Sequence, residues 1–423
     1  MSNDVDQNLR HNFIVNTLDG GFFGLGLGFA SFVTVLPLFV SQMTDSAILI
    51  GLIPAIHAVG WQLPQLLMVD YVARLRRYKP MVLWMTIHER VPFLGLAVVA
   101  WLLPGIDRQV ALVLTFLLLI WQGLGGGFTA TAWQSMIGKI MPPRRAGTFF
   151  GVQSAAANLF ASGGALGAGM VLERLAAPGN YALCFLATGV AMTISWFFLA
   201  STREQPTPPR ADAGGAHSFW SRMSTILRRD ANFRWFLIAR MTSQLAVMAF
   251  AFYTVYAVRQ HGMDVFTAGV LTALLTAAQI IANPVLGWIG DRRGHRTAMQ
   301  VGVFAAAGSA LLAWLAPSIA WFYPAFMLAG VANVAMWTLP MAMTLEFSEG
   351  SERPAYIGLA NTLVAPSTIL APLLGGWLAD ALGYPFMFLV SALGGLATAC
   401  VLYALLRDPR QASRTSQVPA AVD

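Results

Sequence analysis

Long runs of apolar residues alternate with short polar loops along almost the whole chain. Each run has about 20 residues or more, and a helix rising about 1.5 Å per residue then crosses a hydrocarbon layer about 30 Å thick. Apolar and polar residues do not alternate with a period of two, so membrane strands are not expected. The pattern predicts an all-α integral membrane protein with twelve transmembrane helices, at residues 13–40, 47–69, 81–103, 110–137, 147–172, 180–200, 234–258, 266–289, 297–316, 320–345, 354–380 and 384–406.

Composition strengthens this prediction. Of the 423 residues, 57% are hydrophobic and only 11% are charged, which excludes a soluble protein of two or three domains. The first apolar run begins near Phe13 and ends near Val40, and it is too long for the apolar part of a signal peptide. Because no small-residue cleavage site accompanies it, we expect it to remain as the first span.

The net charge of +7 is spread over alternate loops and is not gathered in one basic domain, so no nucleic-acid partner is expected. With the N-terminus in the cytoplasm, the outer loops receive only Arg108, Arg174 and Arg259. The other loop cations then lie inside, as the positive-inside rule requires. We therefore predict a multi-pass protein of the cell membrane with both termini in the cytoplasm. The compact loops favour a bacterial inner membrane.

The chain divides into two similar halves. Residues 1–201 and 233–407 are each expected to form a six-helix bundle, joined by a cytoplasmic linker at 202–232 and followed by a cytoplasmic tail at 408–423. A weak internal repeat relates the halves at an offset of about 207. It matches Arg145, Phe149 and Gly151 with Glu352, Tyr356 and Gly358, and Gly169 and Glu173 with Gly376 and Asp380. The two bundles are therefore predicted to be pseudo-symmetric.

The loop after the eighth apolar run carries the pattern Gly287-x-x-x-Asp291-Arg292-x-Gly294-x-Arg296. This pattern resembles the cytoplasmic loop signature of the major facilitator superfamily of secondary transporters. Twelve spans, a repeat of six and a long middle linker extend the resemblance over essentially the whole membrane part of the chain.

The resemblance implies two bundles that rock about a central cavity and expose one midplane site to either side in turn. It also implies that Gly287 and Gly294 let helices approach closely, and that Asp291 locks the cytoplasmic face by bonding to a neighbouring helix end. Arg292 and Arg296 are expected to be partners of this lock or contacts of lipid phosphates. The alternative is a positively charged inner loop without a gating role.

Two positions depart from the family pattern. The corresponding loop of the first half, from Asp70 to Arg77, keeps the acid and the basic run but lacks both glycines. In the fourth span, Leu119 stands three residues before Gln122, where the family pattern has an Arg that is associated with proton coupling. The resemblance therefore argues against simple proton antiport.

Charges inside apolar spans are the first candidates for transport, because burying them in a membrane is costly. Asp19 lies about 10 Å into the first span, and Arg240 lies at nearly the same depth in the seventh. We hypothesise that the two residues pair across the inner half of the pathway, or that Arg240 receives an anionic substrate. The alternative is that each charge is neutralised locally or reaches the cytoplasmic surface.

Other titratable residues are weaker candidates. Glu89 and Arg90 are adjacent in the third span and point about 100° apart, so they cannot simply face each other. Third helices are peripheral in the family that the chain resembles, which favours a structural ion pair with another helix. His57 is a candidate for protonation, although it lies one turn from Trp61 and fits an ordinary packed pair.

Polar residues spaced four apart share one face of a helix. Such a stripe either lines an aqueous cavity or supplies hydrogen bonds between helices, and both interpretations stay open. The aromatic residues of the first span, with Trp133 and Trp337, suggest a cavity suited to amphipathic organic molecules. The stripes are Arg240 with Gln244, Gln279 with Asn283, Asn333 with Trp337, and Ser154 with Asn158.

The sequence favours a secondary active transporter of a small organic solute, which either exports amphipathic compounds or takes up an organic anion. A coupling proton or other ion and membrane lipids are the expected partners, and the protein is expected to be a monomer. No nucleotide-binding loop, metal-ligand spacing or catalytic motif is present, so neither an enzyme nor a cofactor is expected. A non-transporting receptor or scaffold with a transporter-like fold is the alternative.

Overall fold

The computed structural model describes residues 2–207, 219–347 and 352–409, and these ranges are almost entirely helical. Residues 208–218 of the predicted linker and 410–423 of the predicted tail lie outside them. Twelve membrane spans follow one another, some of them in two or three pieces. Spans 1 to 6 are Ser2–Phe29 with Val35–Val40, Ala47–Gln62 with Leu63–Met68 and Val69–Ala73, Lys79–Leu102, Arg108–Ile140, Ala146–Arg174 and Gly179–Ala200. Spans 7 to 12 are Ala231–Val247 with Met248–Phe252 and Tyr253–His261, Val265–Arg293, His295–Leu315, Phe322–Glu346, Arg353–Thr362 with Ala365–Leu382, and Tyr384–Cys400 with Val401–Leu405.

Spans 2 to 12 are each long and apolar enough to cross a membrane. Span 1 is less apolar because its inner half carries Asn12, Asn16 and Asp19, but all three side chains are buried in the protein. Its polar groups therefore do not face lipid. The chain is a multi-pass membrane protein with twelve helical spans, as predicted.

Spans 1, 2, 7 and 11 are interrupted, which corrects the expectation of continuous helices. In span 1, the hydroxyl of Ser31 accepts hydrogen bonds from the amides of Val33 and Thr34 at 3.3 and 3.2 Å and so satisfies donors at the break. Span 2 tightens into a 3-10 segment that contains Pro64, and the second piece of span 11 has Pro366 near its start. Proline supplies no backbone donor, which favours a break at these places.

The chain forms two compact units. The first comprises Met1–Pro142, Ala156–Gly214 and Gly350–Thr362, and the second comprises Pro143–Ala155, Gly215–Glu349 and Leu363–Asp423. The N-terminal ends of spans 5 and 11 therefore belong to the opposite unit from the rest of their helices. The predicted limits of the two bundles at 1–201 and 233–407 stay a prediction.

Each unit has its own aromatic core. In the first unit, the ring of Phe39 lies 5.4 Å from that of Tyr181 and 5.1 Å from that of Phe185. In the second, the Tyr253 ring packs 5.5 Å from Phe388, and its hydroxyl is hydrogen-bonded to Ser309 at 2.9 Å. The linker also contains a helix, Phe219–Arg229, as its basic amphipathic pattern predicts.

Candidate functional site

The loop that carries the family-like pattern is a tight turn at one end of the second unit. Span 8 ends at Arg293 and span 9 begins at His295, so Gly294 alone separates them. Gly294 has a φ of +94°, which side chains other than glycine rarely adopt, and a Cβ there would overlap the carboxylate of Asp408. Glycine at this position thus fixes the geometry of the whole turn.

Asp291, in the last turn of span 8, binds the beginning of span 5. Its Oδ1 accepts a hydrogen bond from the amide of Gly147 at 2.9 Å, and its Oδ2 accepts one from Thr148 at 2.6 Å. The first amides of a helix have no partner within the helix and lie at the positive end of its dipole. A carboxylate supplied by another helix satisfies both needs. Asp291 therefore lies at a neighbouring helix end, as the resemblance implies, whereas its locking role stays a prediction.

Glycine brings the two helices together backbone to backbone. A Cβ on Gly287 would overlap the carbonyl oxygen of Gly147, and a Cβ on Gly151 would overlap that of Asn283. A Cβ on Gly147 would lie 2.6 Å from the carbonyl oxygen of Gly287 and 2.9 Å from the Asp291 carboxylate. Because these positions lack side chains, the first two turns of span 5 come close enough to span 8 for the Asp291 carboxylate to accept hydrogen bonds from their amides.

A buried histidine completes this end of the second unit. The His295 side chain is fully buried, and its Nδ1 lies 2.7 Å from Oε1 of Glu346, at the end of span 10. Its Nε2 lies 3.7 Å from Oδ1 of Asp291. The imidazole therefore sits between two carboxylates contributed by different spans.

The two arginines of the loop have other contacts. The guanidinium of Arg292 lies 4.4 Å from the centre of the Trp288 ring, one turn earlier in span 8. Arg296 donates a hydrogen bond to the carbonyl of Tyr403 at 2.7 Å, in the piece that ends span 12. The structure thus gives Asp291 two backbone amides and His295, and it gives each arginine an aromatic neighbour.

The buried charge of span 1 is paired inside the first unit. Oδ1 of Asp19 accepts a hydrogen bond from the hydroxyl of Ser195 at 2.6 Å and lies 3.5 Å from Nη2 of Arg90. Asp19 therefore has an ion-pair partner in Arg90 of span 3, and its predicted pairing with Arg240 stays a prediction. The structural ion pair expected for Arg90 with another helix is present.

Arg240 lies in the second unit and is buried, with 8% of its surface exposed. Its guanidinium lies 5.9 Å from the centre of the Phe236 ring, one turn earlier in span 7. Gln244 is half-buried one turn later on the same helix. The proposed role of these two residues in substrate binding stays a prediction.

The remaining polar stripes separate into two kinds. Thr338 donates a hydrogen bond to the side chain of Asn283 at 2.8 Å and lies 3.3 Å from the hydroxyl of Ser154, so these residues join spans 5, 8 and 10. The other members are half-buried or exposed. That they line a cavity stays a prediction. They are Asn158, Gln279 and Asn333, which are half-buried, and Trp337, which is 42% exposed.

A matching polar contact exists in the first unit. The side-chain amide of Asn361 in span 11 donates to Oε1 of Gln65 at 2.8 Å and to Oε1 of Gln134 at 3.2 Å. Asn361 follows Ser154 at the same offset of about 207 that relates the sequence repeats. In each unit, a polar side chain near the start of span 5 or span 11 thus joins a hydrogen-bonded group that includes two other spans.

The sequence model of the Major Facilitator Superfamily matches residues 21–269 and 236–422. The chain belongs to this superfamily. The fold agrees, because the crystal structure of the fucose:proton symporter of E. coli superposes with a TM-score of 0.75 at 14% identity and covers 93% of this chain and 98% of that one.

Curated superfamily relatives match part of the chain. Solute carrier family 67 member A1 of Homo sapiens is 28% identical over 203 residues, which are 47% of this chain and 47% of that protein. The tetracycline resistance protein, class H, of Pasteurella multocida is 26% identical over 152 residues, which are 36% of this chain and 38% of that protein. The chain thus spans about half of the first relative's length in the matched region, and less of the second's.

Two contacts of this chain were not predicted from the sequence. His295 occupies an unspecified position of the loop pattern, and its contact with Glu346 joins residues 51 positions apart. Asn361 likewise meets Gln65 at a separation of 296 residues. The repeat offset that pairs Gly151 with Gly358 also pairs Ser154 with Asn361, and it was the available signal for the second contact.

Proposed function

We propose that this protein is a secondary active transporter that moves a small organic solute across the membrane by alternating access. The observation that carries the proposal is the exchange of helix ends, together with membership of the superfamily. The inner ends of spans 5 and 11 each belong to the unit opposite to the rest of their helix. We infer that these ends dock and undock during transport.

The contacts at the end of span 5 have a strength that suits reversible docking. Asp291 accepts two amide hydrogen bonds, and bonds to a charged group contribute roughly 1.5–3 kcal/mol each. Beside these bonds, the glycines of span 5 lie directly against the backbone of span 8. When two conformations differ by only a few kcal/mol in free energy, a bound solute is able to shift the population from one to the other. We therefore assign Asp291, Gly287, Gly147 and Gly151 to a gate at the inner membrane face.

Two substrate classes follow from the residues. The buried guanidinium of Arg240 favours an organic anion, and the aromatic residues near the predicted cavity favour amphipathic compounds. The relationship to a tetracycline resistance protein supports export of an amphipathic compound, and Arg240 supports uptake of an anion. Gln244, Asn333, Trp337, Asn158 and Gln279 complete the proposed binding surface.

The proposal includes the remaining features of the prediction. The protein acts as a monomer without enzymatic activity, in a bacterial inner membrane, with both termini in the cytoplasm. The positive-inside distribution of Lys and Arg supports this orientation. The two bundles are residues 1–201 and 233–407.

The test begins with a thermal-stability screen of the purified protein against organic anions and amphipathic drugs. A solute at about 100 times its Kd should add about 2.7 kcal/mol of stability. Radiolabelled solute from each positive result is then tested for counterflow into proteoliposomes. Counterflow supports transport, whereas a solute that stabilises the protein without crossing the bilayer identifies a receptor and contradicts the proposal.

One variant pair separates the substrate classes. Arg240→Ala should abolish stabilisation by an organic anion while leaving stabilisation by an uncharged amphipathic compound intact. Arg174→Ala, at the opposite end of the membrane in an exposed position, is the matched control and should change neither. Equal anion binding by wild type and Arg240→Ala would remove Arg240 from the binding surface.

A further inference from the structure

The first unit buries two carboxylates and one guanidinium within its membrane spans. Asp19 comes from span 1, and Glu89 and Arg90 come from span 3. The three side chains are 8%, 10% and 9% exposed. Ions buried at this depth must be balanced, because an uncompensated buried charge costs several kcal/mol.

The hydrogen bonds of Arg90 favour Asp19 over Glu89. Nη2 of Arg90 lies 3.5 Å from Oδ1 of Asp19 and donates to the hydroxyl of Ser195 at 3.0 Å. Its Nε and Nη1 donate to the carbonyls of Met192 and Thr86 at 3.1 and 3.3 Å. Glu89 lies farther away, with Oε2 at 3.9 Å from Nη1. The guanidinium is therefore engaged mainly by Asp19, Ser195 and two carbonyls.

On its other side, the Glu89 carboxylate faces Gly126 of span 4 and Trp61 of span 2. A Cβ added to Gly126 of span 4 would lie 2.9 Å from Oε1 of Glu89 and 3.4 Å from Cδ1 of Trp61 in span 2. These neighbours define the space that the carboxylate faces. Span 6 contributes Ser195 and Met192, and span 1 contributes Asp19 and the ring of Phe23, which is 5.7 Å from the guanidinium.

His88 precedes Glu89 in the chain but is directed elsewhere. Its Nδ1 accepts a hydrogen bond from the indole of Trp121 at 3.2 Å. Among the contacts of the described residues around Glu89, Arg90 is thus the cationic group and Asp19 is the other acidic one. One guanidinium, which stays protonated in proteins, balances one of the two carboxylates. The second carboxylate needs a proton.

We propose that Glu89 is a proton-binding site and that release and uptake of this proton accompany solute transport. The proposal rests on the proposed function and names its coupling ion. In the bound state, the carboxyl of Glu89 is neutral and Arg90 pairs with Asp19. On release, the O–H bond of Glu89 breaks, the proton leaves to water, and Arg90 is shared between two carboxylates.

A proton fits this place better than a metal cation. The guanidinium lies 3.5 Å from one carboxylate and 3.9 Å from the other, so it repels a second cation between them. A proton also requires no volume beyond the carboxyl group itself. Span 4 has Leu119 where the family pattern has an Arg associated with proton coupling, and Glu89 provides a different route to the same chemistry.

The proton is detected without any substrate by infrared difference spectroscopy of the purified protein. A protonated carboxyl group has a C=O stretch that disappears when the group ionises. As the pH is raised, wild type should lose such a band, and Glu89→Gln should lack it from the start. Glu89→Asp should keep a band at a changed frequency. Glu173→Gln, at an exposed glutamate of span 5, is the control and should match wild type.

Two spectroscopic results would overturn the proposal. A full band in Glu89→Gln would place the proton elsewhere. A band that vanishes in Asp19→Asn but remains in Glu89→Gln would assign it to Asp19. If Glu89→Gln does not fold, the frequency change in Glu89→Asp decides between the same alternatives.

Transport measurements separate proton coupling from transport itself. In proteoliposomes, an imposed pH gradient should drive accumulation of the solute by wild type. Glu89→Gln should retain counterflow but lose the response to the gradient. Wild-type counterflow that is indifferent to the gradient would refute coupling while leaving the proposed function intact. Absence of counterflow with every solute that binds would refute the proposed function, and the infrared band would still report the proton site.

Discussion

Replacing Asp291 by Asn isolates the contact between spans 5 and 8. The change preserves the shape of the side chain but removes its charge and one of its two acceptor oxygens. Wild-type Asp291 accepts hydrogen bonds from Gly147 at 2.9 Å and from Thr148 at 2.6 Å. The variant can accept only one of them and presents an N–H group to the other amide.

The size of the effect follows from these two bonds. A hydrogen bond to a charged group contributes roughly 1.5–3 kcal/mol, and the interaction of an anion with a helix N-terminus contributes roughly 0.3–1 kcal/mol. Because one bond remains in weakened form, we expect Asp291→Asn to weaken docking by about 2 kcal/mol. Since 1.4 kcal/mol corresponds to a factor of ten, the undocked population should rise about 30-fold.

Hydrogen exchange reads this population directly. The amides of Gly147 and Thr148 lie in the first turn of span 5, where a helix offers them no carbonyl partner. Their protection from exchange therefore depends on Asp291. Exchange in a peptide covering residues 146–150 should accelerate about 30-fold at these two amides in the variant, under conditions in which the helix end closes faster than the open amides exchange.

Asp264→Asn is the matched control. Asp264 caps span 8 at its opposite end, where it accepts a hydrogen bond from the amide of Thr267 at 2.6 Å. This variant should expose Thr267 and leave Gly147 and Thr148 protected as in wild type. If the two amides stay equally protected in Asp291→Asn, the carboxylate does not hold the beginning of span 5 and the gate assignment is wrong.

Three further predictions concern stability of the detergent-solubilised protein. Gly287→Ala should destabilise it by about 1–3 kcal/mol in thermal unfolding, since its Cβ overlaps the backbone of span 5, whereas Gly269→Ala, with open space around the same helix, should be neutral or stabilising. Lys139→Ala should cost about 2 kcal/mol in the same assay, because it removes the cation 2.8 Å from the buried Glu204 carboxylate, and an unchanged Tm would refute the pair. Burial raises the pKa of the Tyr78 phenol, so its contribution to stability should be complete below about pH 10 and be lost as pH rises through the raised pKa. Tyr78→Phe should lack that alkaline loss in a pH series of unfolding curves, and an identical loss would assign it to another group.

The sequence predicted the spans well because apolar length is a local property. Breaks inside spans were missed, since what makes a break tolerable is often a contact that hydropathy does not report. At the break in span 1, Ser31 satisfies the amides of Val33 and Thr34. A serine within an apolar run does not by itself indicate that its side chain will accept hydrogen bonds from the backbone.

Pairing between spans was predictable only where a motif specified it. The pattern around Asp291 named the acid and its glycines, and the structure places that acid at a helix end. The partner of Asp19 was missed because depth along the span was the only guide, and Arg240 lies at a similar depth. Arg90 contacts Asp19 because spans 1, 3 and 6 pack together. The positions of these residues along the chain do not show that packing.

One pair of corresponding helix ends in the two units carries opposite charges. Lys139 in the last turn of span 4 and Glu346 at the end of span 10 are related by the repeat offset of about 207. Lys139 lies at a helix C-terminus and donates a hydrogen bond to Glu204. Glu204 also accepts hydrogen bonds from the amides of Tyr78 and Lys79, where span 3 begins. Both charges are therefore at the ends that the helix dipoles favour.

The second unit reverses this arrangement. Glu346 lies at the C-terminus of span 10, and Asp291 lies in the last turn of span 8, so the dipoles of their own helices disfavour both carboxylates. Asp291 gains a favourable dipole only from the beginning of span 5, through Gly147 and Thr148. In the proposed gate, undocking of span 5 leaves the Asp291 carboxylate at an unfavourable helix end, with Nε2 of His295 3.7 Å from its Oδ1. The proposed gate therefore predicts that recovery of those two amides by Asp291 stabilises the docked state.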